Sequence, residues 1–112
     1  MRSDENNPLA TCHLTSGRPG LLTGDATFEV RGTFPVTLER GDRDSKGQSY
    51  ARLRVGTSVG ECILVPVDID TGDPAHWHGY VRVEGYEMRF RGVPTDQGMR
   101  AEFHNCVQRV AV

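Results

Sequence analysis

Hydrophobic and polar residues alternate along most of the chain with the two-residue period of a β-strand. The longest alternating segment spans residues 28–38, and its apolar face comprises Phe28, Val30, Phe34, Val36 and Leu38. Residues 50–55, 80–91 and 99–109 alternate in the same way, which is typical of strands with one buried face. We find no segment with the 3.6-residue period and capping residues of a helix. The pattern therefore predicts an all-β protein.

Two glycines interrupt the alternating segments and suggest how the strands close on one another. Gly32 lies within the first segment, and Gly85 lies where the alternation of residues 80–91 changes parity. A glycine inside a strand often marks a bulge or a sharp bend. We therefore predict a small barrel of five to seven strands, similar to an OB-fold, with a β-sandwich as the alternative. We expect residues 1–24 to form a partly flexible N-terminal extension and residues 25–112 to form a single barrel domain.

Composition limits the protein class further. A chain of 112 residues, 37% hydrophobic and 25% charged, fits one folded domain. Its net charge of −2 provides no general attraction to nucleic acid or to an anionic membrane. The sequence contains no apolar run long enough to cross a membrane and no apolar signal core. We therefore expect a location in the cytoplasm or within a virion. The three cysteines form no close pair and fit reduced thiols.

Short motifs in several segments resemble bacterial single-stranded DNA-binding proteins. They are FEVRGTF at 28–34, KGQ at 46–48, YARLRV at 50–55, YVRVEG at 80–85, DQGMR at 96–100 and VQRV at 107–110. The resemblance implies an OB-fold that binds single-stranded nucleic acid. The chain departs from that family in having a short loop at 68–79 where the family has a helix. It also contains no counterpart of the family's acidic tail, and residues 1–24 match nothing in it.

A site for single-stranded nucleic acid needs cationic side chains along the backbone and aromatic rings under the bases. Arginine suits such a site because its planar fork pairs with phosphate, and the chain has twelve arginines but only one lysine, Lys46. The candidate residues are Tyr50, Arg52, Arg54, Trp77, Tyr80, Arg89, Arg91 and Arg100. The alternative is that these arginines pair with neighbouring glutamates on ordinary solvated strand faces.

Metal binding and catalysis are weaker alternatives. His76 with His78, or His104 with Cys106, lie two residues apart and would share one face of a strand, as a Zn²⁺ site requires. Their spacing matches no zinc motif, which favours packed cysteines and surface histidines. Cys106 and His104 also resemble a nucleophile and its base, but nothing in the sequence positions them. We therefore expect no enzymatic activity, no cofactor and no bound metal.

Two hypotheses about function follow. In the first, the protein is a non-enzymatic barrel that binds single-stranded nucleic acid without sequence preference. In the second, it is a structural or protein-interaction module, such as a phage or virion component or an inhibitor of a host protein. Residues 62–67 are apolar on both faces, as expected for a strand at a subunit interface, and we expect a homo-oligomer.

Overall fold

The computed structural model describes residues 8–29, 31–43 and 46–106, and these residues form a closed antiparallel β-barrel. Each strand pairs with its neighbour in the chain, and the last strand pairs with the first. In chain order the strands are β1 (Ala10–Arg18), β2 (Leu21–Phe28), β3 (Gly32–Arg43), β4 (Ser49–Val55), β5 (Ser58–Val65), β6 (His76–Val83), β7 (Tyr86–Thr95) and β8 (Gly98–Asn105). The structure confirms the predicted all-β barrel.

The predicted number of five to seven strands is wrong, because the barrel has eight. Gly32 has a φ of +92° and begins β3 directly after a turn. Glu84 and Gly85 have φ values of +52° and +81° and form the two-residue turn between β6 and β7. Both predicted bends are therefore hairpin turns, each of which divides one predicted strand into two. The resulting up-and-down order also differs from the five-stranded Greek key of an OB-fold.

The N-terminal region contributes directly to barrel closure. Leu14 of β1 pairs with Met99 of β8, and Ala10 pairs with Phe103. The predicted domain boundary between residues 24 and 25 falls inside β2, so β1 and half of β2 precede it. The motif at residues 107–110 lies outside the described residues. Within the described part of the chain, no helix is long and apolar enough to cross a membrane.

Side chains fill the barrel interior. Phe103 packs edge-on against both Phe28 and Phe90, with ring centroids 5.3 Å apart in each pair. Leu14, Leu38, Leu53 and Met88 are also almost completely buried in the same core. An eight-stranded barrel is just wide enough for its interior to be filled in this way. Each such apolar side chain contributes about 1.5–3 kcal/mol of burial free energy, so the interior stabilises the fold.

Gly79 allows β5 and β6 to approach each other closely. A Cβ atom at this position would lie 2.6 Å from the Sγ atom of Cys62 and would also contact the carbonyl oxygen of Glu61. Side chains along β6 alternate with the two-residue period of a strand, and the even-numbered residues lie on the outer face of the barrel. This arrangement fixes the outward positions of His78 and Tyr80.

Candidate functional site

The outer faces of β4 to β7 carry a continuous patch of aromatic and cationic side chains. Strand register aligns eight outward-facing residues in two rows that cross the four strands. The first row contains Arg52, Glu61, Tyr80 and Arg89, and the second contains Tyr50, Ile63, His78 and Arg91. We call these eight residues the outer-face patch. It brings together five of the predicted site residues, which come from three separate segments of sequence.

Tyr80 lies near the centre of the patch. Its side chain is 46% exposed, and its ring stands edge-on to the ring of His78 with centroids 5.2 Å apart. Directly opposite Tyr80 are Glu61 on β5 and Arg89 on β7. An exposed ring beside a guanidinium group can stack on a planar ligand while the cation binds an adjacent anion.

Positive charge is concentrated around His78. Burial lowers the pKa of His78, and the charges of Arg89, His76 and Arg91 lower it further. Arg91 lies 3.9 Å from a carboxylate oxygen of Asp73, a long and partly exposed ion pair that contributes little. Within the part of the chain that the structure describes, Arg89 forms no ion pair. Arg89 is therefore a cation that can pair with an anion, whereas Arg91 faces the carboxylates of Asp73 and Glu102.

Trp77 does not belong to the patch, so its predicted role in stacking on a base is wrong. Its side chain is only 5% exposed and packs inside the barrel. The guanidinium group of Arg40 lies 5.8 Å from the Trp77 ring centroid and covers that end of the core. The sequence indicates the burial of Trp77, because this residue has the same parity along β6 as the buried residues Val81 and Val83.

Arg54 and Arg100, the other two predicted site residues, lie on the outer surface but outside the patch. Arg54 is opposite Thr37 on β3 and Val59 on β5, one position beyond Arg52 on the same face. Arg100 belongs to β8, where its neighbours are His13 and Val93. Arg54 therefore lies beside the first row on β4, and Arg100 also lies outside both rows.

Three patch residues were absent from the predicted site: Glu61, Ile63 and His78. Ile63 is opposite Tyr50 and His78, and it is 36% exposed despite its apolar side chain. The alternation along β5 and β6 gives the outward parity of these residues. Which strands are neighbours depends on non-local pairing, which local patterns do not specify.

The positions of the His, Cys and acidic side chains bear on metal binding and catalysis. Among residues 8–29, 31–43 and 46–106, no three His, Cys, Asp or Glu side chains are placed to hold a metal ion. Nε2 of His104 lies 3.0 Å from Glu102 Oε1, so this nitrogen is engaged by a carboxylate. Burial and the nearby charge of Glu61 raise the pKa of the Cys62 thiol to about 12. Cys62 is therefore protonated at neutral pH and is a poor nucleophile.

Comparisons with protein-family models, curated proteins and solved structures found no match for this chain. The resemblance to bacterial single-stranded DNA-binding proteins stays a prediction that rests on short motifs.

Proposed function

We propose that the protein binds single-stranded nucleic acid across the outer faces of β4 to β7. One observation carries the proposal: strand register aligns Tyr50, Tyr80 and His78 with Arg52, Arg89 and Arg91 on one surface. Aromatic rings stack on any base and cations follow the sugar-phosphate backbone, so this combination suits a single strand without sequence readout. The proposal retains the predicted ligand and replaces Trp77 with Tyr80 and His78 as stacking partners.

The filled interior supports an outer-surface site. Barrels that carry a small ligand usually enclose it, but here Phe28, Phe90 and Phe103 occupy the centre. A ligand would therefore bind to the outside of the barrel or at one of its ends. A flexible single strand can follow the curved outer face of four strands more closely than a rigid duplex can.

The net charge of the chain restricts nucleic-acid binding to local contacts. The chain as a whole is slightly acidic, with a net charge of −2, so long-range attraction to polyanions is weak. Binding would depend on local contacts from Arg52, Arg89 and Arg91. Three phosphate contacts give a slope of log K against log salt concentration of about −2 for a single strand.

Titration of a fluorescent oligo-dT with the purified protein at low and moderate salt tests the proposal. We expect saturable binding at micromolar protein in low salt, affinity that falls as salt rises, and weaker binding of a duplex of equal length. The absence of binding in low salt would contradict the proposal, and so would affinity that is independent of salt.

A second candidate function is association with protein, including a second copy of this chain. In the described segments, the exposed large hydrophobic residues all lie between residues 59 and 80: Val59, Ile63, Val67, Ile69 and Tyr80. Ile69 is the most exposed of them, at 88%, and lies in the β5–β6 connection. Concentrated apolar exposure is typical of an interaction surface.

Size-exclusion chromatography with light scattering separates the two candidates. A stable oligomer that Ile69→Asp converts to a monomer would favour the interaction module. A monomer at all concentrations, combined with salt-dependent binding of oligo-dT, would favour the nucleic-acid site.

A further inference from the structure

A depression of about 300 Å³ lies beside Tyr50, next to the outer-face patch. It lies where β3 bulges: Arg40 pairs with Ala51 and Arg43 pairs with Ser49, which leaves one extra residue in β3. Gly41, within the bulge, is one of the residues that line the depression. The volume of the depression is at the small end of the range for ligand pockets, about 300–1,000 Å³, and suits one nucleotide better than a larger molecule.

Two carboxylates line this depression. Glu39 and Glu61 are the cross-strand neighbours of Arg52 on its two sides, so a cation lies between two anions. Glu39 also lies 3.6 Å from Arg18, in an ion pair whose side chains are 49% and 65% exposed. Such an exposed pair is weak and does not prevent the carboxylate from accepting other hydrogen bonds.

The two carboxylates that line the depression distinguish among bases. An ionised carboxylate only accepts hydrogen bonds, so it favours partners that carry N–H groups. Cytosine, adenine and guanine each have an exocyclic amino group, whereas the one N–H group on the pairing edge of thymine or uracil lies between two carbonyl oxygens. A carbonyl oxygen facing Glu39 or Glu61 would be repelled. Guanine offers two adjacent N–H donors on its Watson–Crick edge and matches one carboxylate best.

We propose that the depression beside Tyr50 is a base-binding pocket that selects amino-bearing bases over thymine and uracil through Glu39 and Glu61. This inference rests on the proposed function, because the base must belong to a strand held by the outer-face patch. In the bound state the base contacts the Tyr50 ring, and the guanidinium group of Arg52 lies near the adjacent phosphate. Binding then combines a sequence-tolerant surface with one selective position.

Competition between oligonucleotides tests the pocket. We would measure the affinities of oligo-dT and oligo-dC of about 12 nucleotides, a length within the range that comparable single-strand sites cover. We expect oligo-dC to bind about five- to tenfold more tightly than oligo-dT. In the double variant Glu39→Gln with Glu61→Gln, we expect the ratio to fall below about twofold. Neutralising two acids raises the affinities for oligo-dC and oligo-dT together. The ratio of these two affinities therefore reports base recognition and not the change in charge.

The outcomes separate this inference from the proposed function. Equal affinities for oligo-dC and oligo-dT in the unmodified protein would overturn the pocket and leave the patch in place. A preference that survives in the double glutamine variant would also overturn the assignment to these carboxylates. Failure to bind either oligonucleotide would overturn the proposed function together with the pocket. Because both side chains lie on the outer surface, circular dichroism should show an unchanged fold.

Discussion

The rings of His78 and Tyr80 are edge-on to each other on the outer face of β6, with an angle of 83° between their planes. The two residues share this face because they are two positions apart in a strand. Their cross-strand neighbours on β7 are Arg91 and Arg89. This four-residue arrangement is the centre of the proposed nucleic-acid site.

Tyr80→Ala should weaken oligo-dT binding about 5- to 150-fold, because stacking contributes about 1–3 kcal/mol per base. Tyr80→Phe should retain most of the affinity, since the ring is kept and only the hydroxyl is lost. Fluorescence anisotropy titration gives both values. Equal weakening by the two substitutions would show that the hydroxyl, not the ring, makes the contact.

His78 should make the free energy of unfolding depend on pH. Its pKa in the folded protein is lowered from the ordinary value of 6.5, so the unfolded chain takes up this proton at higher pH than the folded one. Its contribution to stability is therefore complete above pH 6.5 and is lost as the pH falls through the lowered pKa. Replacing His78 with a residue that does not titrate should therefore reduce the loss of unfolding free energy at low pH.

Urea unfolding of His78→Gln at pH 7.5 and pH 5 measures the effect. We expect the variant to lose less stability than the unmodified protein over this interval. His13→Gln, at an exposed position on β1, is the matched control and should not change the difference. A pH dependence that is identical in all three proteins would contradict the proposed environment of His78.

Trp77 should contribute to stability and not to binding. Its burial beneath Arg40 predicts that Trp77→Ala lowers the free energy of unfolding by about 3–5 kcal/mol. Trp77 is the only tryptophan, so the intrinsic fluorescence of the protein reports on the burial of its ring. Its emission should be blue-shifted in the folded protein. Strong quenching of the native emission by acrylamide would show that the ring is exposed instead.

The thiols of Cys12 and Cys62 should react slowly in the folded protein. Desolvation raises the pKa of Cys12 to about 11 and that of Cys62 to about 12, so little thiolate is present at pH 8. With a disulfide exchange reagent, we expect slow labelling of both in buffer and rapid labelling of all three cysteines in denaturant. Rapid native labelling of Cys62 would contradict its position inside the barrel.

The sequence was sufficient to predict an all-β barrel but not its strand number. Alternation identified β4 almost residue for residue and gave the core positions of β3. Gly32 and Gly85 were interpreted as bends because a glycine within an alternating segment looks the same in sequence whether it marks a bulge or a tight turn. Their positive φ values show turns, and each turn adds a strand.

Five of the eight patch residues could be predicted from the sequence, but their arrangement as one surface could not. Outward parity correctly assigned Tyr50, Arg52 and Tyr80 to the solvent-facing side of their strands. The alignment of Arg52 with Tyr80 through Glu61 depends on the register of three strands, and register is set by turns and by packing. The depression beside Tyr50 depends on a bulge in β3, for which the sequence offers only Gly41 as a signal.

The salt dependence of oligo-dT binding in two matched arginine variants tests the central claim most directly. Arg89 lies within the outer-face patch, whereas Arg100 lies outside both rows. We predict that Arg89→Ala lowers affinity and reduces the slope of log K against log salt concentration by about 0.7, the value for one lost phosphate contact on a single strand. Arg100→Ala should leave the slope unchanged. Equal slopes for the unmodified protein and Arg89→Ala, or a larger change in Arg100→Ala, would contradict the location of the site.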